Sequence, residues 1–351
     1  MEASGYVSLA AARPCAPDRA CAVSSLFAVK SLRLSRRALV RAIVLSLVAM
    51  AGTGCAPVAP TMAIVKDRDA APQSALSKAR VNGVELSYID RGQGPALVFV
   101  HGGLTDYREW DSIATLLSSE RRTVVYSRRY NFPNDNPLTA KDHSAVVEAA
   151  DLAALVRHLG LRDIDVAGVS YGAYTALDLA LREPRMVRAL TLVEPPLLRW
   201  LADIPGGAPL FDEFYSGSFR RSGEAFERGD SLAALRITMD YFVGPDAFDA
   251  LPPQDRADLL GNAREWQALT TSRDAFPPIS LQQIRSLDIP VLMISGGKTF
   301  RMLKLTDAAL EHALPHVTRL IVADGTHDVC SEQPAVCADA IRAFLAPPRS
   351  R

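Results

Sequence analysis

From Ala79 onward, short apolar runs alternate with segments whose apolar residues recur every three or four positions. The short runs are Ala96–His101 (ALVFVH), Arg122–Ser127 (RTVVYS), Ile164–Ser170 (IDVAGVS), Ala189–Glu194 (ALTLVE), Pro290–Ser295 (PVLMIS) and Thr318–Asp324 (TRLIVAD). They are apolar at consecutive rather than alternate positions, as strands covered on both faces are. Helical periodicity fills Tyr107–Ser118, His143–Leu159, Tyr171–Arg182, Leu303–Ala313 and Ala335–Leu345. This alternation predicts an α/β protein with a mostly parallel sheet flanked by helices. An antiparallel hairpin opens it, because two β runs in ARVNGVELSYIDRG flank Asn82-Gly83, a dipeptide suited to a tight turn.

One interval breaks the rhythm. Residues 195–289 hold no strand-like run but several helical ones, such as SLAALRITMDYFV. Helices inserted between two sheet strands predict a lid over the sheet's C-terminal edge, where active sites of such sheets gather. The expected organisation is a targeting segment over 1–54, a linker over 55–77, a core from 78–194 and 290–346, and the lid between.

With 351 residues, 48% of them hydrophobic, the chain is long enough to bury a large core. It carries 39 basic and 39 acidic residues, but residues 1–54 hold seven of the former and two of the latter. The remainder is mildly acidic and has no basic cluster, which argues against a nucleic-acid partner. Within the first segment, Arg33, Arg36, Arg37 and Arg41 precede an apolar run from Ala42 to Ala51. That run is short for a membrane span and reads as a signal peptide. SRRALVR resembles a twin-arginine export signal. GTGC resembles a lipobox that would acylate Cys55, although Gly52 stands where a larger aliphatic residue is usual. The expectation is an exported, periplasmic or membrane-anchored lipoprotein. A non-cleaved anchor and an accidental lipobox are the alternatives. Cleavage would remove Cys15 and Cys21, leaving Cys330 and Cys337 as a pair that an oxidising compartment would join, or else as two free thiols.

Three local motifs carry chemistry. Gly168-Val169-Ser170-Tyr171-Gly172 lies between an apolar strand and a helix, the setting of a nucleophile elbow with Ser170 at its tip. His101-Gly102-Gly103 closes another buried strand, so the N–H groups of Gly103 and Tyr171 are the candidate oxyanion hole, at ~3 kcal/mol per donor. Of six histidines, His327 in LIVADGTHDVC follows the last strand in a Gly-Thr loop and is the candidate base.

These motifs, with TLVEPP and GTHDVCSEQP in the same order, resemble the α/β-hydrolase fold family over about Ala79 to Leu345. In that family the acid commonly follows the strand after the lid. Here that place reads ISGGKTF, with Thr299 where an Asp is expected. Some members carry the acid one strand earlier, which assigns the role to Glu194; Asp307 is the competing candidate. A second departure is Ser127-Arg128-Arg129-Tyr130, where the family often has an Asp-x-x-Gly loop. Arg128 and Arg129 are candidates for contact with an anionic substrate group, or for a structural ion pair.

The resemblance implies a serine hydrolase that cleaves an ester or lactone of a small, partly apolar substrate, with amide and carbon–carbon bonds within reach of the same machinery. It needs no metal and no organic cofactor. Members with epoxide hydrolase or haloalkane dehalogenase chemistry carry Asp at the elbow, where this chain has Ser. The alternative class is a non-catalytic protein that keeps the fold for binding.

Overall fold

The computed structural model describes residues 75–346. The expected targeting segment, Cys55 and nearly all of the linker lie outside the described residues, and among these no helix is long and apolar enough to cross a membrane.

Eight strands form one sheet in the order β1-β2-β4-β3-β5-β6-β7-β8. β1 (Ser77–Val81) and β2 (Val84–Arg91) are the expected hairpin. Asn82 and Gly83 both take positive φ, 45° and 77°, as a two-residue turn matched to strand twist requires. β2 pairs antiparallel with β4 (Arg122–Tyr126). All later pairings are parallel: β3 (Ala96–Val100), β5 (Ile164–Val169), β6 (Val187–Val193), β7 (Val291–Gly296) and β8 (Val317–Val322). β3, β5 and β7 are buried at every position because helices cover both faces. β8, the edge strand, is only partly covered.

The helices follow in chain order. α1 (Asp111–Leu117), α2 (Ala145–His158) and α3 (Tyr171–Arg182) alternate with the strands. Seven more lie between β6 and β7: α4 (Ala208–Phe214), α5 (Arg220–Glu227), α6 (Ser231–Phe242), α7 (Ala247–Ala250), α8 (Pro253–Gly261), α9 (Ala263–Thr270) and α10 (Leu281–Arg285). A π-helical turn, Tyr215–Phe219, joins α4 to α5. α11 (Arg301–Ala313), α12 (Val329–Glu332) and α13 (Pro334–Phe344) complete the fold.

Two apolar clusters flank the sheet. Tyr174 and Leu177 of α3 pack with Leu152 of α2 on one side, and Trp110 and Leu117 pack with Ile341 of α13 on the other. The inserted helices extend the first cluster through Phe214, Phe219 and Trp266.

Cys330 and Cys337 are joined as a disulfide with Cα atoms 5.5 Å apart, clipping α12 to α13 just beyond His327. Both half-cystines are buried in the second cluster. Cross-linking residues seven apart restricts a short loop of the unfolded chain, a contribution of about 2 kcal/mol. Cys337→Ser is therefore expected to lower stability in denaturant titration by about that amount. Dithiothreitol should reproduce the loss in the wild type and add nothing in the variant.

Candidate active site

Ser170 occupies the turn between β5 and α3 with φ 50° and ψ −123°, a conformation that L-residues adopt only where their surroundings impose it. The surroundings here are two glycines. A Cβ on Gly168 would meet the backbone of Gly172, and a Cβ on Gly172 would collide with the carbonyls of Val100 and His101. β3, β5 and α3 are thus too close for any side chain at either position, and Ser170 is pushed out on the tip. Its N–H is held by the Val193 carbonyl at 2.8 Å.

Glu194 follows β6 and is likewise forced into positive φ, 50°. Its carboxylate is fully buried and satisfied by three donors. Gly296 N–H reaches Oε1 at 2.8 Å, the Thr299 hydroxyl reaches Oε2 at 2.6 Å, and His327 Nδ1 lies 2.5 Å from Oε2. Thr299, standing where an acid was expected, therefore donates to the Glu194 carboxylate from the neighbouring strand end. Burial lowers the His327 pKa, but the hydrogen bond and charge of Glu194, aided by Asp328 and Glu109, outweigh it and leave the imidazole raised above its ordinary value. Asp307 is engaged elsewhere: it accepts from the Ser295 hydroxyl and pairs with Arg319 at 3.2 Å. Burial raises its pKa to about 6.

The structure brings the Ser170 and His327 loops to the same sheet edge. Val169 and Asp328, their chain neighbours, line one small cavity with Glu109. The HGG loop closes over them, since a Cβ on Gly102 would lie 3.5 Å from Ser170 Cβ. Among the described residues, neither Gly103 N–H nor Tyr171 N–H, at the start of α3, donates to any acceptor. The flanking amides are taken: Gly102 N–H by Glu109 at 2.7 Å and Leu104 N–H by Glu265 at 3.1 Å. Burial raises the Glu109 pKa to about 7.

Arg128 and Arg129 correct the expectation of substrate contacts, for both turn inward. Arg128 is fully buried, paired with Glu265 at 2.7 Å and Glu148 at 3.4 Å. Arg129 makes a two-pronged pair with Asp151 at 2.7 and 2.8 Å. A desolvated guanidinium needs such carboxylates, and α2 and α9 supply them. Glu109 and Glu265 were missed in the sequence. The only local signal for Glu109 is its place in the turn after HGG, and Glu265 has none.

Aromatic side chains wall the site. Phe300 lies 5.7 Å from the His327 ring, Phe242 lies 5.4 Å from Phe300, and Phe214 and Phe219 continue the line to Trp266, which stands 3.6 Å from where a Gly103 Cβ would be. The insertion also forms a partly open pocket of about 410 Å³, lined by Phe211, Phe214, Tyr215, Phe219 and Phe276 with Arg199 and Glu224. Ser170 and His327 are not among its lining residues; Phe214 and Phe219 belong to both wall and pocket. Among the described residues no group of three His, Cys, Asp or Glu side chains is arranged to hold a metal ion.

An elbow serine, a histidine–carboxylate pair after the later strands and a helical insertion over a mostly parallel sheet define a class of fold. Residues 95–334 match the model of the alpha/beta hydrolase fold family, and the chain belongs to that family. It is 25% identical over 288 residues to a soluble epoxide hydrolase of Corynebacterium sp. (strain C12), covering 78% of this chain and 97% of that enzyme. It is 24% identical over 269 residues to carboxylesterase YbfK of Bacillus subtilis (strain 168), covering 72% and 80% of the two chains. A thermophilic esterase from Thermogutta terrifontis superposes with a TM-score of 0.61 at 21% identity, covering 78% of this chain and 98% of that one. These relatives support a hydrolase.

Thr299→Val should remove one of the three donors to a buried carboxylate. The expected cost in denaturant titration is about 2 kcal/mol, as for a hydrogen bond to a charged group, whereas Thr299→Ser, which keeps the hydroxyl, should cost less than half of that.

Proposed function

We propose that the chain is a serine hydrolase acting on an ester or lactone through an acyl-enzyme. The observation that carries the reading is Ser170 held at positive φ on a strand–helix turn, at the same sheet edge as the Glu194–His327 pair. In this reading the Nδ1–H donates to Glu194, leaving Nε2 as the acceptor. His327 Nε2 takes the Ser170 hydroxyl proton as Oγ bonds to the substrate carbonyl carbon. The carbonyl oxygen becomes an oxyanion held by Gly103 and Tyr171 N–H. Collapse breaks the bond to the leaving alkoxide, which receives the proton from His327. Water then repeats the sequence on the acyl-enzyme and releases the acid.

Glu194 serves by fixing the imidazole and balancing its charge when protonated. The Corynebacterium relative is an epoxide hydrolase, but Ser170 stands where members with that chemistry carry Asp. The aromatic wall favours a partly apolar substrate. A carbonyl substrate with an amide or carbon–carbon leaving bond would use the same groups.

A fluorophosphonate probe should label the wild type and leave Ser170→Ala unlabelled. Equal labelling of the two, or none of the wild type, removes this reading in favour of a non-catalytic binding protein. A series of p-nitrophenyl esters and lactones of increasing acyl length then defines the substrate.

Acid and base separate by pH. Hydrolysis needs neutral His327, whose pKa is raised, so kcat/KM should fall as pH drops through a value above that of ordinary imidazole. Glu194→Gln should lower kcat by about 10³- to 10⁴-fold and move this acid limb to lower pH. Asp307→Asn should do neither; the reverse pattern would transfer the role to Asp307.

A further inference from the structure

The Gly102 carbonyl is the focus of the buried charge cluster. Arg128 Nη2 donates to it at 2.8 Å, and His101 Nδ1 lies 2.8 Å from it. The backbone fixes the His101 tautomer: Arg128 N–H donates to His101 Nε2 at 2.9 Å, so Nε2 is the acceptor and Nδ1 carries the proton. Burial first, and the Arg128 charge second, hold this imidazole neutral. Two buried donors, one of them cationic, therefore converge on a single carbonyl oxygen.

That oxygen belongs to the same planar peptide as Gly103 N–H. Donors at the oxygen draw density away from the nitrogen, leaving the N–H more positive, as in any hydrogen-bonded chain of amides. We propose that Arg128 is a positioning residue for the oxyanion hole: with His101, and through the Gly102–Gly103 peptide, it strengthens the Gly103 N–H as a donor to the developing oxyanion. This inference rests on the reading of Gly103 as an oxyanion donor.

Glu265 completes the device. Its Oε1 holds the same Arg128 nitrogen at 2.7 Å, and its Oε2 accepts from Leu104 N–H at 3.1 Å. Leu104 has φ 59°, so the peptide after Gly103 is fixed in a conformation that the loop would not keep by itself. The next residue, Trp266, packs against Gly103, with its indole N–H anchored on the Thr238 hydroxyl at 2.7 Å. Both ends of the Gly103 unit are thus held: the carbonyl of Gly102 by Arg128, and the N–H of Leu104 by α9. An apolar pair filling the same volume would spare the desolvation of these charges. What it lacks is the cationic donor: the Gly102 carbonyl would keep only His101 Nδ1 and the Thr105 hydroxyl.

The test is the charge-balanced double variant Arg128→Met/Glu265→Gln, assayed on the best p-nitrophenyl ester and with an aryl trifluoromethyl ketone, whose serine adduct carries an oxyanion. In the folded variant, kcat should fall about 10- to 100-fold, short of the loss of a whole oxyanion donor. KM should stay within about threefold, and the inhibition constant of the ketone should rise by the factor by which kcat/KM falls. A kcat and inhibition constant within about twofold of wild type overturn the proposal, as does a loss confined to KM. Should the double variant not fold, Arg128→Lys keeps the buried cation but cannot span Glu265 and Gly102 together. It should show the same split at about threefold or more, and an unchanged inhibition constant overturns the proposal. Ser170→Ala separates the two readings. Activity surviving in it removes the serine mechanism and the proposal together, whereas an inactive Ser170→Ala beside wild-type-like Arg128 variants removes the positioning role alone.

Discussion

A carboxylate with no exposure must be satisfied entirely by its neighbours, and at Glu194 those neighbours come from the ends of two further strands. Gly296 closes β7, Thr299 follows it, and His327 follows β8. The carboxylate thus ties three strand ends together, and the imidazole can be aligned only if all three are in register. Register comes from the parallel pairings of β6, β7 and β8 and from close backbone approach. A Cβ on Gly296 would collide with the carbonyls of Gly325 and Thr326, in the loop that carries His327. The stability of the sheet and the aim of the histidine are therefore one constraint.

Much of the fold was legible because its signals are local. Buried parallel strands are apolar throughout, and the hairpin is written in Asn82-Gly83. The candidate site was legible to the same depth. Ser170 and His327 sit in short motifs whose strand–turn context can be read residue by residue. Glu194 required the order of the sheet and a resemblance, and Thr299 could be read only as a missing acid. What it does instead depends on a side chain 105 residues away. Arg128 stayed open between substrate contact and a structural ion pair for the same reason. Nothing local distinguishes an arginine at a pocket mouth from one inside, and its partner Glu265 lies 137 residues further on.

The insertion between β6 and β7 has two kinds of face. One is aromatic and runs from Trp266 to Phe242, which meets Phe300 in the loop after β7, giving the site an apolar wall. The other is ionic and reaches down from α9 to Arg128 and the HGG loop. A cover that only excluded water would need the first. The second makes the insertion continuous with the electrostatics of the core, with Glu148, whose pKa burial raises to about 7, as its far edge.

The hydroxyl of Thr299 also bears on how such sites can diverge. An aspartate at 299 would point a second carboxylate at Glu194 within reach of the same imidazole, and two like charges in one desolvated space cannot both ionise. The two locations for the acid are alternatives that exclude each other. A chain moving from one to the other cannot hold both acids charged along the way; it has to pass through a form in which one of them is neutral or missing. The acid's address is then a discrete choice, not one that can be moved by degrees.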